Sequence, residues 1–297
     1  MLGQHSMNKL LGCILSLSLL SACQSQIGQK DEGNATAQSM GQDIPKPSEY
    51  METNLPADAP TYLIGTMGSY APLEFRDQYG QSIGFDMDII YAIAARQKFH
   101  VSVLTHPWNG MLNTLNTGER DIIISSVNIT PERQEIYEFS QPYFALQDVL
   151  LVKTQNENIH KFEDLIGQNA TISALAGSAQ KTNLLKLGVK EEYVISSESQ
   201  FVAVKEMFAD KAQAVIGDGP VMDYFALSYP EIPTKRLVLP DAPTEYFGIA
   251  VKKGNTELRD KLNAGLKQIY EEGVYDRIYF KWFHKPVPKD FLPWANG

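Results

Sequence analysis

Short apolar segments alternate with segments of helical periodicity from residue 61 to residue 217. Apolar runs bounded by polar residues predict strands at residues 61–65, 101–104, 122–124, 171–174 and 214–216. Apolar residues spaced three and four positions apart predict helices over residues 108–116, 180–187 and 201–208, and another that starts near Asp86 as its N-cap. This alternation predicts an α/β fold with mostly parallel sheets flanked by helices.

The first residues have the pattern of a secretory signal. A short positively charged segment starts at Met7 or, six residues earlier, at Met1. It precedes an apolar stretch at residues 10–20 that is too short to span a bilayer. The sequence Leu20-Ser21-Ala22-Cys23 resembles the bacterial lipobox, which is cleaved before its cysteine. We predict a lipoprotein signal peptide at residues 1–22 and a membrane anchor on Cys23, acylated with chains such as palmitate. An ordinary signal peptide is the alternative.

Residues 23–59 are rich in Gln, Ser, Gly, Asn, Asp and Pro and contain few apolar positions. Such a segment buries too little apolar surface to offset the loss of chain entropy, so a disordered tether is predicted. The remaining residues are more than a single hydrophobic core readily accommodates, which predicts one large or two smaller domains.

Composition excludes several classes of function. The net charge is −9 and the chain has no basic patch interleaved with aromatic residues, so we expect no nucleic-acid partner. The histidines that follow the signal are scattered without the spacing of metal ligands. We expect no metal and no cofactor, since the chain also lacks a phosphate loop and a nucleophile elbow.

The first candidate site lies between Asp121 and Arg133. A buried strand is followed by the small polar residues Ser125, Ser126 and Asn128, and then by a helix start. Thr130 is a suitable N-cap and Pro131 suits the first helical position, which places Arg133 in the first turn. A cation is disfavoured there unless an anion binds with it, so Arg133 is a candidate clamp for a carboxylate or phosphate. The alternative is a surface arginine paired with Glu132 or Glu135.

Further motifs fall in a characteristic order. They are Tyr70-Ala71-Pro72 with Glu74-Phe75, Gly84-Phe85-Asp86-Met87-Asp88, Ile129-Thr130-Pro131-Glu132-Arg133, Phe139-Ser140-Gln141-Pro142-Tyr143, Asp164-Leu165-Ile166-Gly167, Gly177-Ser178, Ala214-Val215-Ile216-Gly217-Asp218, Tyr246-Phe247-Gly248-Ile249-Ala250-Val251 and Lys281-Trp282-Phe283. Over about residues 61–285 the chain therefore resembles the family-3 periplasmic solute-binding proteins, which serve polar amino-acid ABC importers.

This resemblance implies a type II periplasmic-binding-protein fold with two α/β lobes and two crossing strands. The large lobe would take residues 60–142 and 246–297, and the small lobe residues 143–245 with hinge strands at its ends. The implied protein is a monomeric binding protein, not an enzyme. It would capture an amino acid in the periplasm, deliver it to an ABC permease in the inner membrane, and remain anchored through Cys23 to the inner or outer membrane.

The resemblance also implies roles in the cleft. Arg133, together with Ser178 and the Ala179 amide, would bind the ligand carboxylate, whereas Asp218, with Ser126 and Asn128, would bind the ammonium. Tyr70 and Trp108 would sandwich the ligand. From the residues alone the alternatives are a plain turn and cap at Ser178, an N-cap at Asp218 and core packing of Trp108.

The ligand side chain stays open at this stage. Uncharged Met67 stands where basic-amino-acid binders of the family can carry an aspartate, which favours a polar or uncharged ligand and leaves arginine open. Gly217 predicts room for a larger side chain. Glu74 would either meet a polar head or stabilise the lobe. It is also the candidate general acid in the alternative function, a periplasmic cyclohexadienyl or arogenate dehydratase on the same fold.

Overall fold

The computed structural model of the protein describes residues 47–240 and 243–295. The strands are β1 (Thr61–Thr66), β2 (Ser69–Tyr70), β3 (Glu74–Arg76), β4 (Ser82–Ile83), β5 (His100–Thr105), β6 (Ile122–Ile123), β7 (Tyr137–Phe139), β8 (Phe144–Leu146), β9 (Asp148–Lys153), β10 (Ile172–Leu175), β11 (Val194–Ser197), β12 (Ala214–Asp218), β13 (Thr234–Val238), β14 (Glu245–Phe247) and β15 (Ala250–Lys252). The helices are α1 (Phe85–Gln97), α2 (Trp108–Met111), α3 (Asn113–Thr117), α4 (Pro131–Ile136), α5 (Phe162–Gly167), α6 (Ala179–Lys186), α7 (Gln200–Phe208), α8 (Gly219–Ser228), α9 (Thr256–Glu271) and α10 (Val274–Phe283), with a 3-10 turn at Glu191–Tyr193.

The large lobe is built on a five-stranded sheet with the order β5-β1-β6-β15-β7. Strand β1 runs parallel to β5 and β6, whereas β15 runs antiparallel to β6 and β7. Helices α1 and α9 pack against each other and against this sheet. Helix α9 buries apolar residues at helical spacing, namely Leu258, Leu262, Leu266 and Ile269.

The small lobe is built on a second five-stranded sheet with the order β11-β10-β12-β9-β13. Strand β10 runs parallel to β11 and β12, but β9 runs antiparallel to β12 and β13. In each sheet four of the five strands run in one direction and one strand, β15 or β9, runs against them, so the sheets are mostly parallel, as predicted, with one antiparallel strand each. The physical reason is the chain path, because β9 and β15 each follow directly after a crossing strand and enter their sheets against the direction of β12 and β6.

Two strands cross between the lobes. Strands β8 and β14 pair antiparallel, with Leu146 opposite Glu245 and Phe144 opposite Phe247. The rings of Phe144 and Phe247 stack with centroids 5.7 Å apart, and Phe291 lies edge-on to Phe144 at 5.0 Å. The hinge is thus stiffened by aromatic packing against the C-terminal segment.

Residues 47–59 lie against the large lobe. The Ser48 hydroxyl donates a hydrogen bond of 2.6 Å to Asp88, which is only 1% exposed. The prediction of a disordered tether is corrected for these residues, because buried Asp88 needs donors that Ser48 and the Trp282 indole supply. The signal peptide, Cys23 and the earlier part of the tether lie outside the described residues. Within the described ranges, no helix combines the length and the apolarity needed to cross a membrane.

Two helix predictions also change. Gly84, not Asp86, takes the N-cap position of α1, and a Cβ there would lie 2.2 Å from the Leu73 carbonyl oxygen. Asp86 lies inside the first turn, where negative charge is favoured. The helix predicted over residues 108–116 is broken into α2 and α3, because Gly110 has a φ of 87°.

Candidate functional site

Arg133 is positioned by the segment that joins β6 to α4. The Thr130 hydroxyl accepts a hydrogen bond of 3.3 Å from the Arg133 N–H, and Pro131 occupies the first turn, which confirms the predicted helix start. The Arg133 guanidinium donates to the Asn128 carbonyl at 3.0 Å and lies 5.3 Å from the centroid of the Trp108 ring. Local sequence therefore places the arginine, and the side chain folds back over Trp108.

Arg133 is a cation that is shielded from water and has no ion pair among the described residues. Burial lowers the pKa of Arg133, and the nearby carboxylates of Glu245 and Asp218 oppose that change. Glu132, an alternative partner in the sequence, pairs instead with Lys186 at 3.7 Å. A guanidinium in this state can donate two parallel hydrogen bonds to a carboxylate.

Asp218 ends β12 at 1% exposure and lies opposite Asp148 of β9. It takes the N-cap position of α8, but its side chain makes no capping hydrogen bond. Its two oxygens instead accept hydrogen bonds of 2.5 Å each, from the Tyr70 hydroxyl and the Gln180 amide. Burial and the charge of Asp148 raise the pKa of Asp218 well above its usual value. An ammonium group in front of Asp218 would favour the ionised form.

The cleft between the lobes is closed by hydrogen bonds from large-lobe side chains. Tyr70 donates to Asp218, and the Trp108 indole donates to the Gly177 carbonyl at 3.1 Å. The Asn128 amide donates to Glu245 on the crossing strand β14. Trp108 also belongs to the buried apolar core at 9% exposure, as the core-packing alternative requires, and its contact with a ligand stays a prediction.

Ser178 and Ala179 begin α6 on the small-lobe side. The Ser178 hydroxyl accepts a hydrogen bond of 3.1 Å from the Lys181 N–H and so caps the helix. Gly177 has a φ of 72°, in the left-handed region that glycine adopts readily, and its carbonyl meets Trp108 there. The cap uses the Ser178 hydroxyl, which leaves the backbone N–H groups of this turn as the donors suited to an anion.

Glu74 and Asp86 form a buried carboxyl pair beneath the serines of the central stretch. Both have 0% exposure. The hydroxyls of Ser125 and Ser126 donate to Glu74 at 2.7 and 2.9 Å, and the Ser126 N–H donates to Asp86 at 2.8 Å. Burial raises the pKa of Asp86 to about 7, and burial with the Asp86 charge raises that of Glu74 well above its usual value. The serine hydroxyls thus serve Glu74, which lies inside the lobe.

Two residues were predicted to define the ligand side chain. Met67 lines a cavity of about 340 Å³ with His106 and Glu198, and its backbone N–H donates to the Ser125 hydroxyl at 3.0 Å, so its role at the ligand stays a prediction. A Cβ on Gly217 would lie 2.7 Å from the Met222 methyl carbon. The prediction of room for a ligand side chain beside Gly217 is therefore wrong, because the protein's own side chains fill that space.

The structure adds cleft residues that sequence reasoning missed. They are Asp148, Gln180, Asn183 and Glu245. The Gln180 amide donates to Asp148 at 3.0 Å, and the Asn183 amide donates to Asp148 at 3.1 Å and to Glu245 at 2.7 Å. The spacing of Gln180 and Asn183 puts them on one face of α6, a signal present in the sequence. The pairing of β14 with β8 sets Glu245 opposite Leu146, two residues before Asp148, and so brings the two carboxylates to the same place.

Known proteins are similar to this chain in sequence and in fold. The sequence model of the bacterial extracellular solute-binding proteins, family 3, matches residues 62–285. A probable histidine-binding protein of Neisseria gonorrhoeae is 31% identical over 225 residues, covering 75% of this chain and 83% of that protein. The arginine-, lysine-, histidine-binding protein ArtJ of Geobacillus stearothermophilus superposes with a TM-score of 0.73 and 30% identity, over 77% of this chain and 97% of that chain. The ancestral amino acid-binding protein AncCDT-1, a precursor of cyclohexadienyl dehydratase, superposes with a TM-score of 0.68 and 32% identity, over 75% of this chain and 95% of that chain.

Proposed function

The chain belongs to the bacterial extracellular solute-binding proteins of family 3, and from this premise we propose that it captures a free amino acid between its lobes and delivers it to an ABC importer. Relatives named for binding histidine, or arginine, lysine and histidine, support an amino-acid ligand. The observation that carries the proposal is the pairing of opposite charges in one closed cleft. Arg133 and Asp218 are both withdrawn from water, and among the described residues neither has an ion pair.

A zwitterionic ligand matches this arrangement. Its carboxylate binds the Arg133 guanidinium and the backbone N–H groups at the start of α6, which begins at Ala179. Its ammonium binds Asp218 and releases the Tyr70 hydroxyl, whose ring, together with Trp108, covers the body of the ligand. The ligand stabilises the closed state because it contacts both lobes at once.

The same proposal includes the compartment and the assembly state. The protein acts as a monomer in the periplasm and meets an ABC permease in the inner membrane. Acylation of Cys23 holds it at the inner or outer membrane, and the lipobox-like sequence before Cys23 supports this step. The residues between Cys23 and residue 47 give the lobes their reach from the membrane.

We propose a binding protein and not a dehydratase. Glu74, the general acid that the dehydratase alternative requires, has 0% exposure and accepts hydrogen bonds from Ser125 and Ser126. A general acid must reach the proton that it transfers. Glu74 is buried, so it does not reach a substrate in the closed cleft. Its hydrogen bonds with the two serines support a role in stabilising the lobe.

A melting scan against the twenty amino acids at about 1 mM tests the proposal. A ligand with a micromolar Kd stabilises the folded state by about 4 kcal/mol, which is on the order of 10 °C for a chain of this size. The decarboxylated amine of the best ligand is the matched control and should give no shift, since it lacks the group that Arg133 binds. If no amino acid raises the melting temperature, the proposed function fails, and prephenate and arogenate are the next compounds to add.

A further inference from the structure

A cavity of about 290 Å³ lies beside the hinge, next to the carboxylate clamp. One part of its lining is polar, with Asp148, Asn183 and Glu245, and another is apolar, with Leu187, Leu239, Pro240 and Pro243. Glu245 belongs both to this cavity and to the interlobe contact with Asn128. The cavity therefore borders the cleft, and the charge of Glu245 acts on Arg133.

The charges in this region do not balance if the bound amino acid has an uncharged side chain. If Arg133 takes the ligand carboxylate and Asp218 takes its ammonium, Asp148 and Glu245 are left without a cation. Among the described residues of the lining the only lysine is Lys186, whose side chain is 65% exposed and pairs with Glu132. Uncompensated carboxylates in a cleft favour a ligand that brings one more positive charge.

The fold holds the carboxylates of the cleft close together, and their like charges repel each other. Asp148 and Asp218 lie directly opposite each other in neighbouring strands, a position in which like charges destabilise a sheet. A single amide nitrogen, Asn183 Nδ2, lies 3.1 Å from an Asp148 oxygen and 2.7 Å from a Glu245 oxygen. A guanidinium presents five N–H donors in a planar fork, so it can bridge both carboxylates where the amide now does.

We propose, on the basis of the proposed amino-acid capture, that Asp148 and Glu245 select a ligand with a cationic side chain, with the apolar walls of the hinge cavity holding its methylene chain. A guanidinium-bearing amino acid such as arginine is the ligand class that this site fits. Met67 does not line this cavity, so an uncharged residue at position 67 is compatible with a basic ligand. The ligand class thus differs from the uncharged one that Met67 favoured.

Arginine and citrulline test this proposal, because they have nearly the same shape and citrulline replaces the guanidinium by a neutral urea. Isothermal titration at pH 7 should show that the protein binds arginine at least tenfold more tightly. Asp148→Asn and Glu245→Gln should each reduce that preference, the ratio of the citrulline Kd to the arginine Kd, at least fivefold. Glu191→Gln, which alters an exposed carboxylate paired with Lys181, is the control and should change neither affinity.

Proton release gives an independent readout. Burial, followed by the Glu245 charge, raises the pKa of Asp148 to about 7, and Asp218, Arg133 and the rim residue Lys186 are the other charged groups nearby. A bound guanidinium favours the ionised carboxylate, so arginine should release more protons at pH 7 than citrulline, measured from titrations in buffers of different ionisation enthalpy.

The outcomes separate this proposal from the proposed function. Equal affinity for arginine and citrulline, or a preference that survives in both Asp148→Asn and Glu245→Gln, overturns the selection of a cationic side chain but leaves amino-acid capture intact. Binding of another amino acid with no measurable arginine binding also overturns it. If no amino acid binds at all, the proposed function itself is refuted.

Discussion

Replacing Arg133 by methionine should separate binding from stability. In the ligand-free protein the guanidinium makes one hydrogen bond of 3.0 Å to the Asn128 carbonyl and stacks on Trp108. These contacts contribute about 1.5–3 kcal/mol and about 0.5–2 kcal/mol. Desolvating the charge costs several kcal/mol, so the terms nearly cancel. We expect the unfolding free energy of Arg133→Met to change by no more than about 1 kcal/mol, or about 4 °C in melting temperature.

Binding should respond very differently. In Arg133→Met the ligand carboxylate would enter the closed cleft without its cation, and breaking a buried charge pair costs about 3–5 kcal/mol. That is a loss of about 100- to 4,000-fold in Kd, measured by isothermal titration with the ligand that the melting scan identifies. Arg96→Met is the matched control, because Arg96 forms an ion pair of 2.6 Å with Glu272 outside the cleft. The ligand affinity of this variant should not change.

Two results would refute this reasoning. Binding by Arg133→Met within tenfold of the unaltered protein would show that Arg133 is not the carboxylate clamp. A melting temperature lowered by more than about 10 °C would show that Arg133 carries the fold, in which case lost binding would say nothing about the clamp.

Other predictions concern the buried carboxyls, the closed cleft and the anchor. Because the folded state raises the pKa of Asp86 to about 7, it holds a proton that the unfolded chain releases near pH 4, so stability falls as pH rises between these values. Asp86→Asn should gain stability relative to the unaltered protein as pH rises from about 5 to 8, and urea unfolding curves with a constant difference would contradict this. Tyr70→Phe loses the 2.5 Å hydrogen bond from the Tyr70 hydroxyl to Asp218 that helps to hold the ligand-free cleft closed, worth about 1.5–3 kcal/mol, so the ligand-free radius of gyration should increase; unchanged small-angle scattering would remove that bond from the closing mechanism. Cys23→Ala should abolish labelling with radioactive palmitate and move the protein to the soluble fraction, whereas a variant that still sediments with membranes would argue against the anchor.

Much of the fold could be read from local patterns. The strands and helices that apolar periodicity predicted between residues 61 and 217 are present, but other elements, such as β9, β13, α9 and α10, were not predicted from the pattern. The start of α4 was predictable because Thr130 and Pro131 act within one turn of Arg133. The break between α2 and α3 was not, because the left-handed conformation of Gly110 depends on how the segment meets the rest of the lobe.

The sequence by itself determined which residue types were available for a zwitterion, above all Arg133 at a helix start and Asp218 at a strand end. Only the tertiary structure decided what each of them meets. Asp148 and Asp218 face each other because β9 runs antiparallel to β12, and Glu245 reaches Asn128, 117 positions earlier, because β14 crosses between the lobes. Such contacts depend on strand register and lobe closure, which couple residues too far apart in the chain for local patterns to record.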